Sequence, residues 1–163
     1  MGFNRVLSDG GFDGAQVSGR RARVMDQLRK NLNHHPATTT VTLEPTRDGR
    51  DRQYVAQLAT DILAEGVVDA ESATLILNWW THPVGYDDQF KFHYVESTGY
   101  DCGWHRQPHP EEVEIPFEHF QQRASPEDDY EYYPVSFQEE TPVGLFWEIT
   151  TTRLERILQS KWD

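Results

Sequence analysis

Three stretches between Ser72 and Arg106 alternate in side-chain character with a period of two, the geometry of a β-strand, and they restrict the fold more than any other feature of the chain. In SATLILNWWT, Ala73, Leu75, Leu77 and Trp79 alternate with Thr74, Ile76, Asn78 and Trp80. Both faces are largely apolar, which predicts a central strand. FKFHYV places Phe90, Phe92 and Tyr94 on one face and Lys91, His93 and Val95 on the other. Ser97 to Gly99 forms a turn into a third strand, GYDCGWHR, closing an antiparallel hairpin. On that strand Tyr100, Cys102, Trp104 and Arg106 share one face, and Asp101, Gly103 and His105 share the opposite one.

Helical spacing dominates elsewhere. RRARVMDQLRKNL puts Val24, Leu28 and Leu32 at i, i+4 and i+8, an amphipathic helix that Ser18 can cap and that ends near His34 and His35, where histidine suits the helix dipole. Residues 1–19, with Gly10, Gly11, Gly14 and Gly19, are expected to form an arm without chemistry. Thr38 to Thr42, bounded by Pro36 and Pro45, predicts a short strand. The following DGRDRQYVAQLATDILAEG reads as a second helix, starting at Asp48 or Asp51, with Val55, Leu58 and Ile62 as its apolar stripe and Gly66 as its stop. SPEDDYEYYPV leads into an edge strand holding Tyr130, Tyr132 and Pro134, and Thr141 to Trp162 closes the chain as a helix burying Leu145, Ile149, Ile157 and Leu158. The expected architecture is α+β: an antiparallel sheet of about three to five strands packed with helices, behind an N-terminal helical extension. The division falls between an arm and helical segment, residues 1–65, and an α+β domain, residues 66–163.

Charge is distributed unevenly. The net charge is -12, but residues 1–60 carry nine basic against six acidic side chains, and residues 61–163 carry six against twenty-one. Three lysines stand beside twelve arginines. This usage resembles that of proteins from salt-loving archaea, whose acidic surfaces stay hydrated in concentrated salt. At ordinary salt the acidic half would repel nucleic acid, whereas at molar salt a Debye length of ~3 Å removes long-range steering. No apolar run approaches the ~20 residues of a membrane span. The N-terminus lacks a signal pattern, and the single Cys102 has no internal disulfide partner. A cytoplasmic protein without membrane contact is expected.

The segment WHRQPHPEEVEIPFEHFQQR, Trp104 to Arg123, concentrates residues that can do chemistry. Pro108, Pro110 and Pro116 forbid a continuous helix or central strand and predict a shaped loop. His109 and His119 are candidate proton-exchanging groups toward RNA or another phosphodiester, with Arg106 or Arg123 stabilising phosphate charge. Trp104 and His105 are candidate substrate contacts, as is Arg123. His105, His109 and His119 could also join Glu111, Glu112, Glu114 or Glu118 around a metal, but the spacing matches no fixed metal motif, and no cofactor is expected. Cys102 is a candidate nucleophile whose strand position favours an inert, packed thiol. Trp79, Trp80, Trp147 and the tyrosines could stack on bases, although such side chains more often fill a core. The Arg20, Arg21, Arg23, Arg29 and Lys30 face reads as a solvated helix surface with a nucleic-acid patch as its rival.

With these residues in view, residues 72–160 resemble the TumE-type family of toxin–antitoxin proteins. FKFHYV, GWHRQPHP, IPFEHFQ and the closing ITTTRLERIL carry the resemblance. By position, Arg106 resembles the family arginine, His109 its His-Pro cluster, Pro116 its second-motif proline and His119 one of its final histidines. The Asp-Asn pair that follows the family arginine is absent here, and the second motif keeps one histidine. The resemblance implies a toxin component of a two-gene system, paired with a cognate antitoxin and acting on nucleic acid, with RNA as the candidate target. Two other classes remain open: a non-enzymatic protein-binding module of a halophilic archaeon, and a metal-dependent hydrolase.

Overall fold

The computed structural model describes residues 11–83, 85–108 and 114–162. Helix α1 (Gly11–His34) precedes seven strands: β1 (Thr38–Pro45), β2 (Arg52–Leu58), β3 (Ala73–Trp80), β4 (Gln89–Glu96), β5 (Asp101–Arg106), β6 (Glu118–Arg123) and β7 (Glu131–Pro134). They form one antiparallel sheet in which each strand lies beside its sequence neighbour. Helix α2 (Pro142–Trp147) runs through a π-helical segment, Glu148–Arg153, into α3 (Leu154–Trp162).

The α+β class is as expected; the sheet is larger than expected. Two of the additional strands come from segments whose local pattern points elsewhere. Arg52–Leu58, expected as part of a helix, is β2: Tyr54, Ala56 and Leu58 are buried on one face, while Gln53, Val55 and Gln57 lie on the other. RQYVAQL fits either period over so short a run, and β1 and β3 on its two sides decide in favour of the strand. Only the end of the expected helix coils, as a 3₁₀ turn at Leu63–Gly66 with Gly66 at φ +79°, and Ile62 of the expected apolar stripe is 50% exposed. Glu118–Arg123, expected within a shaped loop, is β6, because the prolines stop at Pro116 and leave six residues free to pair on both sides. Helix α1 also begins at Gly11, earlier than Ser18; residues 1–10 of the expected arm lie outside the described residues.

One face of the sheet is the core. Tyr54 and Ala56 of β2, Leu75, Leu77 and Trp79 of β3, Phe90, Phe92 and Tyr94 of β4, Cys102 and Trp104 of β5, and Phe120 of β6 are buried there. Val24, Leu28 and Leu32 of α1 and Leu145, Phe146, Ile149, Leu154 and Leu158 of the C-terminal helices join the same cluster. Thr141 caps α2 by accepting from the Gly144 N–H, with Pro142 in the first turn. Thr150 donates to the carbonyl of Phe146 inside the π segment, a hydroxyl bond that competes with the helical ladder. Trp147 Nε1 donates to Asn31 Oδ1 at 2.8 Å, and its ring stacks on the buried His35, so the two ends of the chain meet over the sheet. No helix among the described residues is long and apolar enough to cross a membrane.

The two readings of residues 52–62 differ in measurable stability. Leu58→Ala is expected to cost about 2–5 kcal/mol, as for a core residue. Ile62→Ala is expected to change stability by less than about 0.5 kcal/mol. Urea unfolding of the two variants checks both.

Candidate functional site

The helices pack on the first face of the sheet, and alternation sends Lys91 and His93 of β4, Asp101, Gly103 and His105 of β5, His119, Gln121 and Arg123 of β6 to the second. This second face floors a groove of about 1260 Å³. Lys91, His93, His105, Asp101, Gln121 and Arg123 line its floor, Trp80, Tyr130 and Tyr132 supply aromatic surface, and the β1–β2 turn contributes Arg47, Asp48, Arg50 and Asp51.

Register sets the chemistry. Lys91 pairs with His105, and His105 pairs with His119, so these three side chains form a row across β4, β5 and β6. His93 pairs with Gly103, which has no side chain, and this lets the imidazoles of His93 and His105 approach diagonally across the strands. A Cβ on Gly103 would be forced against Nδ1 of His93 and would stand 2.7 Å from Nε2 of His105. The two nitrogens are 3.3 Å apart, and the His105 and His119 rings lie 5.2 Å centre to centre.

Asp101 anchors the array. Its Oδ1 is 2.8 Å from Nε2 of His93, and its Oδ2 accepts from Nε of Arg123 at 2.7 Å. Burial alone would raise the Asp101 carboxyl pKa; hydrogen bonds from His93, Arg123 and Tyr130 outweigh it and hold the group at about 2. Asp101 is therefore a carboxylate at neutral pH, and the proton of neutral His93 sits on Nε2 facing it. Nδ1 of His93 then accepts from Nε2–H of His105. The guanidinium of Arg123 lies 4.3 Å from the centre of the Tyr130 ring, which is edge-on to His93.

The expected residues divide between the two faces. His105 and Arg123 line the groove. His119 is fully buried beside His105, with Nδ1 donating to the carbonyl of Pro116 at 2.9 Å and Nε2 3.0 Å from Oε1 of Gln121. Trp104 and Arg106 sit on the helix-packed face: Trp104 is buried against Phe120, and Arg106 pairs with Glu118 at 2.7 Å while packing over Phe90. His109, with Pro110, Glu111 and Glu112, lies outside the described residues. The Gln107 N–H donates to the Phe117 carbonyl, extending the β5–β6 pairing by one bond beyond Arg106 and Glu118. Among the described residues no group of three His, Cys, Asp or Glu side chains is placed to hold a metal ion. Cys102 is on the packed face, where burial pushes its thiol pKa up, away from the nucleophilic thiolate. The basic side of α1 is largely engaged within the molecule: Arg20 on Asp88, Arg21 on Asp51 and Asn78, Arg29 and Lys30 on Asp26.

Sequence reasoning missed His93, Asp101 and Gly103 as a unit. Their signal is the hairpin itself: once FKFHYV and GYDCGWHR pair around Ser97 to Gly99, His93 must face Gly103 with Asp101 and His105 on its diagonals.

A family model described as Toxin TumE matches residues 28–154, most of the chain. The chain belongs to the TumE toxin family. The TumE match begins in α1 and takes in all seven strands, so it reaches further toward the N-terminus than the resemblance over residues 72–160. A TumE toxin implies a cognate antitoxin as partner. Comparisons with curated proteins and with solved structures give no match.

Two outcomes check this geometry. Gly103→Ala is expected to force the imidazoles apart and to cost about 1–3 kcal/mol in urea unfolding. Asp101→Asn is expected to cost roughly 1–3 kcal/mol at neutral pH. Because the folded carboxyl titrates below its unfolded value, the wild-type advantage is complete above roughly pH 4 and disappears as the pH falls toward 2. Unfolding midpoints of the two proteins between pH 2 and 7 measure it.

Proposed function

We propose that this TumE-family toxin cuts RNA in the groove on the second face of the sheet, with His105 as its central acid–base group. One observation carries the reading: the paired His93 and His105, with an ionised Asp101 bonded to His93, line a groove that also offers Arg123 and the aromatic rings of Trp80, Tyr130 and Tyr132. Histidine exchanges protons near neutral pH, aromatic rings stack on unpaired bases, and arginine balances phosphate charge. In this reading His105 takes the proton of a ribose 2′-hydroxyl as that oxygen attacks the adjacent phosphorus. The bond from phosphorus to the 5′-oxygen breaks, and the departing oxygen takes a proton from a second histidine, His109, leaving a 2′,3′-cyclic phosphate and a 5′-hydroxyl, while His119, buried with both ring nitrogens engaged, supports His105 from beside it. His93 and Asp101 position His105 and set its tautomer. Arg123 is a groove cation bound to the array through Asp101. Arg106 acts on the other side of the sheet, holding the base of the histidine–proline loop through Glu118.

Induction of the wild type is expected to arrest growth of a host lacking the antitoxin, with RNA bearing 2′,3′-cyclic phosphate ends accumulating. His105→Ala is expected to abolish both at equal protein level, a loss of at least ~100-fold in cleavage by purified protein. Arrest by the variant equal to that of the wild type would place the toxic activity elsewhere and favour a protein-binding mode of action.

A further inference from the structure

The end of the groove nearest the β1–β2 turn holds cations that form no ion pair among the described residues. Lys91 stands next to His105 in the cross-strand row and is half-buried beneath the β1–β2 turn, which contributes Arg47 and Arg50 to the same groove. That turn is held in place by Trp80 Nε1 donating to Asp51 Oδ2 at 2.7 Å and by the Thr46 N–H donating to the Asp51 carbonyl at 2.9 Å. None of Lys91, Arg47 and Arg50 has an ion pair among the described residues. Among the described carboxylates nearby, Asp51 is engaged with Arg21 and Trp80, Asp101 with His93 and Arg123, and Asp88 with Arg20, while Asp48 accepts from the Thr46 hydroxyl and the Arg50 N–H of its own turn and feels the Arg50 charge, so Arg50 is partly compensated and Lys91 and Arg47 are not paired.

This is an odd arrangement in a chain with twenty-seven acids and fifteen bases. Acids are abundant enough to pair every cation, yet a half-buried lysine is left beside an arginine. Burial lowers the Lys91 ammonium pKa, the positive charge of Arg47 lowers it further, and Asp101 only partly compensates. Like charges held together in a partly desolvated place cost stability, and an incoming anion recovers that cost.

We propose that Lys91, Arg47 and Arg50 form a phosphate subsite that grips the backbone of a single-stranded nucleic acid one step from His105. The choice of a polynucleotide as the source of the phosphate rests on the RNA-cutting reading above. Trp80, which pins the turn, lies in the same groove and offers a ring to the neighbouring base. The site binds by charge and is indifferent to base identity, because phosphate contacts position a strand without reading it.

The test uses the full chain and a fluorescein-labelled single-stranded DNA 12-mer, which has no 2′-hydroxyl and cannot be cut by the proposed chemistry. Anisotropy titrations over a range of salt compare the wild type with Lys91→Met, Arg47→Gln and Lys91→Arg, using Arg156→Gln, an exposed cation outside this groove, as control. Lys91→Met and Arg47→Gln are expected to weaken binding about tenfold and to lower the salt slope by about 1 each, while Lys91→Arg and the control bind as the wild type does. Lys91→Met is also expected to raise the melting temperature, because it removes the uncompensated charge; this separates a lost subsite from a damaged fold. Binding unchanged in Lys91→Met, or no binding by the wild type, would overturn the subsite. RNA cleavage is scored separately: Lys91-dependent binding without RNA cleavage by the wild type would leave the subsite and remove the cleavage reading. Cleavage that persists undiminished in Lys91→Met would do the reverse.

Discussion

Phe90, Phe92 and Tyr94 lie fully buried along β4, with Leu75, Leu77 and Trp79 on one side and Cys102 and Trp104 on the other. This aromatic slab is what α1 and the C-terminal helices cover, and the rest of the structure depends on its being buried on one face only. Strand alternation then dictates that the residues between the slab members face the other way. Lys91 and His93 are interleaved with Phe90, Phe92 and Tyr94, so each groove residue is flanked along the chain by two anchors in the core. A one-residue slip of register would exchange the slab for the histidines, at the cost of burying Lys91 and exposing the phenylalanines.

Within that frame the histidine array depends on a void, the missing side chain of Gly103. Three histidines from three strands would ordinarily be separated by the neighbours between them. Here His93 reaches His105 over the glycine, and His105 meets His119 directly across the next strand pair. Asp101 gives the array a direction: its carboxylate stays ionised through its three hydrogen-bond donors, so the Nε2 proton of neutral His93 points at Asp101 and the Nε2 proton of His105 at His93. The overall acidity of the chain does not by itself set the charge at the proposed subsite, where Lys91, Arg47 and Arg50 stand with Asp48 and Asp51.

Much of this was legible in the sequence, and the failures have physical causes. β3, β4, β5 and the turn at Ser97 to Gly99 follow from clear period-two alternation over six to eight residues. The α1 stripe of Val24, Leu28 and Leu32 and the closing helix with Leu145, Ile149 and Leu158 follow from helical spacing just as clearly. β2 did not, because Val55 and Leu58 belong to both patterns and only the tertiary neighbours choose between them. β6 was hidden by the prolines on its N-terminal side. For the site, His105, His119 and Arg123 were visible as a local concentration of chemistry, but His93 was not, being separated from them in sequence and brought back only by hairpin register. Arg106 and Trp104 stand out in the sequence for the same reason as His105, and strand parity places them on the opposite side of the sheet.

The central claim is that an ionised Asp101 orders the protons of His93 and His105. It is tested most directly by nitrogen-15 NMR of the imidazole rings at pH 8, where neutral rings reveal their tautomers. The account predicts that His93 carries its proton on Nε2, with Nδ1 unprotonated, and that this preference is lost in Asp101→Asn. A proton on Nδ1 of His93, or a spectrum that Asp101→Asn leaves unchanged, would contradict it.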